Sequence, residues 1–272
     1  VTGSSDKKAR IIDATSGALL KEILHKISAE SMVPGRIRTI AFAPDGKTFV
    51  TGAEDKKARI IDATSGGVLR VIPHGSLVRA IAFAPDGKTF ATGSDDEADV
   101  RIIDATSGDV LREIPHRQEV EQGVNAIAFA PDGKTFVTGA DDEKARIIET
   151  MSGSVLREIP HGDFVCAIAF APDGKTFVTG SGDKKARIID AASGFVLREI
   201  PHGGWVSAIA IAPDGKTFLT TSNDNKTRII DATSGLVLRE IFEEIPVHAI
   251  AFAPDGKTFA TGSSEVTLWK MP

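Results

Sequence analysis

Residues 78–94 read VRAIAFAPDGKTFATGS. The run from Val78 to Ala84 is short, apolar and closed by Pro85-Asp86-Gly87, a turn signal, so it reads as a strand. Lys88 to Gly93 follows as a second short strand. Asp99 to Asp104 (DVRIID) reads as a third, closed by the turn residues Asp104-Ala105-Thr106-Ser107-Gly108. Asp109 to Ile114 (DVLREI) is a fourth, ended by Pro115. No stretch within 78–115 is long enough for an amphipathic helix.

The turn segment APDGKTF stands at 43–49, 84–90, 130–136, 171–177, 212–218 and 253–259, at separations of 41, 46, 41, 41 and 41 residues. A period in the low forties belongs to a propeller or to an array of helical pairs. Four strands per repeat decide for the propeller, with one antiparallel blade per repeat. Strand composition agrees. Ala80-Ile81-Ala82-Phe83-Ala84 is apolar on both faces and small on one, as an innermost strand between blades requires. Arg112 and Glu113 place charge on the fourth strand, where an exposed edge discourages further pairing.

The 272 residues suffice for a sizeable core and read as one repeat domain spanning 1–272. The net charge of −5 offers no basic excess, which argues against nucleic acid as a partner. Cys166 is the single cysteine, so no intrachain disulfide forms, in keeping with a reducing, cytoplasmic compartment. No apolar run approaches membrane-spanning length and no signal peptide opens the chain, so no membrane association is expected. The chain starts at Val1 rather than Met, which points to a processed or trimmed form.

These residues resemble the WD40-repeat propellers. The carriers are the APDGKTF turns, the Pro-His-Gly elements at 73–75, 160–162 and 201–203, and the third-strand motif DKKARIID at 6–13, 55–62 and 183–190. They recur in fixed order over essentially the whole chain. One departure stands out. The family's tryptophan is replaced by Ile12, Ile61, Ile103, Ile148, Ile189 and Ile230, and only Trp269 keeps it. The resemblance implies a structural hydrogen-bonded group in each blade: His74, Thr92 and Asp96; His116, Thr138 and Asp142; His161, Thr179 and Asp183; His202, Thr220 and Asp224. His25, Thr51 and Asp55 match as well, with eight residues inserted after His25. Replacing Trp by Ile removes a buried donor together with its bond, which a core tolerates. Glu243 occupies the place of the histidine before the last blade.

The first half of the repeat occurs six times and the second half seven, so the chain enters within one blade's second strand and ends after another's third. Seven blades with incomplete terminal blades are expected, and six blades are the alternative. A missing N-terminal segment of roughly twenty residues, at this repeat length, would complete both terminal blades. Open edges there offer a route to self-association.

Enzyme chemistry finds little support. A Ser, His, Asp set that recurs at five equivalent places is structural, whereas a catalytic set is unique, and no G-x-S-x-G elbow occurs. The histidines stand about a blade apart with no Cys/His pair at metal-ligand spacing, so no metal or cofactor is expected. No G-x-x-x-x-G-K-[ST] phosphate loop is present. Cys166 reads as a small packed residue.

Within so uniform an array the positions that differ are the informative ones. Two alternate positions vary at the entry to strand one: Arg36 and Arg38, Leu77 and Arg79, Gly123 and Asn125, Phe164 and Cys166, Trp205 and Ser207, Pro246 and His248. A third varies before the turn aspartate: Ser5, Glu54, Asp95, Asp141, Gly182 and Asn223. The resemblance places all three on the top face, where partners of such propellers usually bind. Phe164 and Trp205 would form an aromatic patch in adjacent blades, and Arg36, Arg38 and Arg79 a basic one gripping carboxylates, with the acids Glu54, Asp95 and Asp141 nearby. Aromatics and arginines are the usual hot-spot residues of interfaces. Phe195 and Leu236, at the start of strand four, form a weaker patch on another face. The inserts 27–35 and 117–123 would extend the top face, the first with Met32 and Val33 at its tip. The expected function is a non-enzymatic scaffold or signalling module that binds a protein or peptide. The alternatives are a structural or engineered propeller without a partner and, last, an enzyme using the central channel.

Overall fold

The computed structural model describes residues 1–13, 16–24, 35–95, 100–116 and 123–271. Among these the chain is all-β, with seven antiparallel sheets in succession: five of four strands and, at either end, one of three. The fifth sheet shows the plan, with its strands Val165–Phe170, Thr176–Ser181, Lys185–Asp190 and Val196–Pro201 paired in chain order. These are the blades of a β-propeller. The first blade (Thr2–Gly3, Lys8–Ile12, Leu19–Leu24) lacks an inner strand and the seventh (Ala249–Phe252, Thr258–Gly262, Val266–Lys270) an outer one. Seven incomplete-ended blades are therefore found, and the six-blade alternative is set aside.

The repeated turn owes its constancy to local hydrogen bonding. In the fifth blade Gly174 N–H donates to Ala171 O at 2.9 Å, Lys175 N–H to the Asp173 carboxylate at 2.9 Å, and Ala171 N–H to Thr176 O at 2.9 Å. Gly174 lies at φ 70°, in the left-handed region that glycine enters at least cost, so glycine is favoured there. At the far end of strand three, Asp190 takes the Ser193 N–H and hydroxyl at 2.8 and 2.6 Å. Ala191 N–H donates to Lys175 O and ties the two turns into one end of the blade.

The chain forms two compact units, Val1–Ile127 and Ala128–Pro272. In each, the core lies between neighbouring blades. In the second unit Val178, Ala186, Ile188 and Ile200 of one blade pack with Val206, Phe218 and Ile230 of the next. In the first, Val50, Ala58, Ile60 and Ile72 meet Val78, Ile81, Phe90 and Ile103. The glycine of the Thr-Gly pair in strand two admits the next blade closely, although the sixth blade carries Thr221 in that place. A Cβ on Gly180 would stand 2.7 Å from Val206 Cγ1 and 2.9 Å from Val206 O.

Five of the isoleucines standing in place of tryptophan are fully buried and pair across to phenylalanine, as Ile189 does with Phe177 and Ile230 with Phe218, while Ile12 of the first blade is half-buried. Trp269 takes the same register opposite Phe259 and stacks on it with ring centroids 6.3 Å apart.

On the outer strand Arg112 and Glu113 are both exposed, as are Val110 and Leu111, and Glu113 pairs with Arg101 at 3.0 Å. Arg157 and Arg198 guard the edge by folding back onto the carbonyls of Leu156 and Leu197 at 2.6 and 2.7 Å.

Candidate partner-binding site

The histidines clasp one blade to the next. His161 follows the outer strand of the fourth blade and is buried. Its Nδ1 lies 3.0 Å from Ile159 O, an acceptor, so Nδ1 carries the proton and Nε2 accepts from the Thr179 hydroxyl at 2.9 Å. His202 repeats this with Ile200 O and Thr220 at 2.9 and 2.8 Å, and His74 reaches Thr92 at 2.9 Å. Burial, with Arg187 and Arg228 adding repulsion, pushes His161 and His202 down to about 4, so both are neutral at pH 7.

Asp183 stands outside the His–Thr pair. Its carboxylate accepts the Gly162 N–H at 3.0 Å and the Arg187 guanidinium at 2.6 Å. Asp224 does the same with Gly203 and Arg228, at 2.9 and 2.6 Å, and Asp142 pairs with Arg146. Two clasps thus hold the His161-Gly162 and His202-Gly203 segments, one through threonine and one through aspartate. His116 and Thr138 are buried in the corresponding places, and Asp96 and His25 lie outside the described residues. The buried arginine of strand three is what sequence reasoning missed. Arg187 is bracketed by Asp183 and by Glu199 of strand four at 2.8 Å, and Arg228 likewise by Asp224 and Glu240. The Asp-x-x-x-Arg spacing within DKKAR was its signal.

The variable positions cluster at the same end of each blade as these clasps. A backbone bond joins the residue before the turn aspartate to the first strand-entry position: Glu54 N–H to Arg36 O, Gly182 N–H to Phe164 O, Asn223 N–H to Trp205 O, at 2.8–2.9 Å. The second strand-entry position sits on a β-bulge. Pairing skips from Ile37 to Thr39, from Val78 to Ala80, from Val165 to Ala167 and from Val206 to Ala208. The bulge leaves Arg38, Arg79, Cys166 and Ser207 out of the ladder and re-aims their side chains.

In the first unit this end is a closed polar network. Arg38 pairs with Glu54. Arg79 meets Asp95 at 2.6 Å and Asn125 Oδ1 at 2.9 Å. Gly123 makes room for the pair, since a Cβ there would stand 1.8 Å from Asp95 Oδ1. Leu77 is half-buried and Arg36 exposed. Arg38 and Arg79 are thus engaged by the chain's own acids.

In the second unit the same end is aromatic. Phe164 meets Trp205 of the next blade edge to face, centroids 5.8 Å apart and planes at 67°, and Trp205 is 43% exposed. Gly182 clears the space, for its Cβ would stand 2.7 Å from Phe164 Cε1. Beneath, Cys166 donates to Val206 O at 3.0 Å and Ser207 to Val247 O at 2.8 Å, so both serve the blade contact. Burial pushes the Cys166 thiol up to about 12, and Asp141 and Asp163 add to the rise. Phe195 and Leu236, 73% and 65% exposed, lie where the Asp190 and Asp231 turns re-enter strand four, at the opposite end of the blades. The inserts 27–34 and 117–122, with Met32 and Val33, lie outside the described residues.

The repeat profile described as WD domain, G-beta repeat matches residues 24–62, 66–98, 109–149, 153–190 and 194–231, well over half of the chain. The chain belongs to the WD40-repeat family. WD40 propellers are generally non-enzymatic scaffolds that bind proteins or peptides. No curated protein matches the chain significantly. The WD40 repeats here carry the family's His and Asp positions with an isoleucine core. Among the described residues no group of three or more His, Cys, Asp or Glu is placed to hold a metal ion.

Proposed function

We propose that the chain is an interaction module that holds a protein or peptide on the Phe164–Trp205 face. The observation that carries this reading is the exposed indole of Trp205, braced edge-on by Phe164. Large aromatic surface held rigid at a blade end is costly in water and is the usual anchor of an interface. Arg38 and Arg79 play a lesser part, since a partner's carboxylate must displace Glu54 or Asp95 to reach them. His161, His202, Asp183 and Cys166 at this end are engaged in blade clasps and hydrogen bonds.

The test is affinity capture from native extract with the wild-type chain and with a Trp205→Glu, Phe164→Ser double variant of matched thermal stability. A partner held by the first and lost by the second is expected. The same partner held by both would move the site, with Phe195 and Leu236 next in line, and no partner for either would favour the structural reading.

A further inference from the structure

Four residues that break the repeat converge on the aromatic face. Phe164 and Trp205 replace the Arg36 and Leu77 of earlier blades, and Gly182 replaces Glu54 and Asp95. Asp163 is the fourth, where the neighbouring repeats carry Ser76 and Gly204. The space above Gly182 shows how they meet. The point where a Cβ would sit is 2.7 Å from Phe164 Cε1 and 2.9 Å from both Cγ and Oδ2 of Asp163. The ring edge and the carboxylate therefore flank one gap.

The charge there is not cancelled. Asp163 Oδ1 accepts the Phe164 N–H at 2.8 Å, and among the described residues its carboxylate forms no ion pair. This is the reverse of the first unit, where Glu54 and Asp95 at the same blade end are neutralised by Arg38 and Arg79. Aromatic faces carry negative potential and attract cations, and a carboxylate beside them adds to the attraction.

We infer that the Phe164–Trp205 face takes a positively charged side chain, an arginine or lysine of a bound protein or peptide, laid on the Trp205 ring with its charge toward Asp163. This rests on the interaction reading above and specifies the chemistry of the partner. A partner offering a carboxylate at this point would meet Asp163 with like charge.

The test is selection of a phage-displayed library of random twelve-residue peptides on the intact chain, followed by titration of the enriched peptides against wild type, Trp205→Ala and Asp163→Asn. Asparagine keeps an oxygen for the Phe164 N–H, so the loop is retained and only the charge is lost. Expected are peptides that share an Arg or Lys, need Trp205, and weaken about tenfold with Asp163→Asn, the size of one desolvated charge contact. Peptides that need Trp205 but lack a shared cation, or that ignore Asp163→Asn, would overturn the inference and leave the interaction reading standing. Failure to enrich any peptide that needs Trp205 would overturn both.

Discussion

The indole N–H of Trp269 donates to the Thr261 hydroxyl at 3.0 Å. In the fifth and sixth blades the corresponding threonines, Thr179 and Thr220, donate instead to a histidine from the preceding blade. No histidine stands at the clasp position before the seventh blade. Glu243 takes that backbone position, its N–H bonded to Asn225 O as His202 N–H is to Lys184 O, and its carboxylate turns to Thr227. Each of these blades therefore satisfies its buried threonine once, with histidine or with tryptophan. The isoleucine-for-tryptophan replacement leaves nothing orphaned because histidine holds the threonine.

Trp269→Phe should then cost the seventh blade about 1–3 kcal/mol, the penalty of a buried hydroxyl left without its partner. Ile189→Trp should not restore anything. Ile189 is fully buried and Thr179 already has His161, so the larger ring overpacks the site, again at about 1–3 kcal/mol. Chemical denaturation of both variants checks the pair. A stabilised Ile189→Trp would refute the account.

The two acids that bracket Arg187 should differ sharply. Asp183→Ala strips a buried guanidinium of its closest partner and is expected to cost about 3 kcal/mol. Glu199→Gln lies on the exposed side of the same arginine and should cost under about 1 kcal/mol. Midpoints of urea unfolding at constant m-value decide it, and equal losses would contradict the geometry.

Acid should destabilise the chain in two steps. Unfolded histidine titrates near 6.5 and His161 and His202 near 4, so between those values the unfolded state takes up protons that the folded state refuses. Stability falls as pH drops through that window, by roughly 3 kcal/mol per histidine at 1.36 kcal/mol per pKa unit. Asp224 acts lower. Burial raises it, but the Arg228 and Gly203 hydrogen bonds prevail and hold it at about 2, so its contribution is lost as pH falls from 3.8 through 2. Thermal unfolding of wild type and of a His161→Gln variant from pH 7 to 4 checks the upper step, which should shrink in the variant.

Cys166 should be inert in the folded chain. With its thiol near 12 and its proton donated to Val206 O, almost no thiolate exists at pH 8. Iodoacetamide should label it slowly in buffer and rapidly in guanidinium, read by mass spectrometry. Fast labelling of the native chain would place the thiol elsewhere.

The sequence by itself determined the repeat, the four strands and the turns, and favoured seven blades over six. All of these rest on contacts a few residues apart, such as the Asp173 and Asp190 caps, or on strands adjacent in chain order. It also marked Phe164 and Trp205 as departures from the repeat. Only the tertiary structure decided what each variable or charged residue does. Register across strands sets Arg187 against Glu199, a β-bulge turns Cys166 toward the next blade, and blade-to-blade packing brings residues 41 positions apart, Phe164 and Trp205, into ring contact. The same packing brings Asn125 of the next blade to Arg79, which Asp95 of its own blade already pairs, so this cation is engaged by the chain itself. Local chemistry repeats with the motif, but a side chain's partners depend on which neighbour the next blade presents, and no single repeat encodes that.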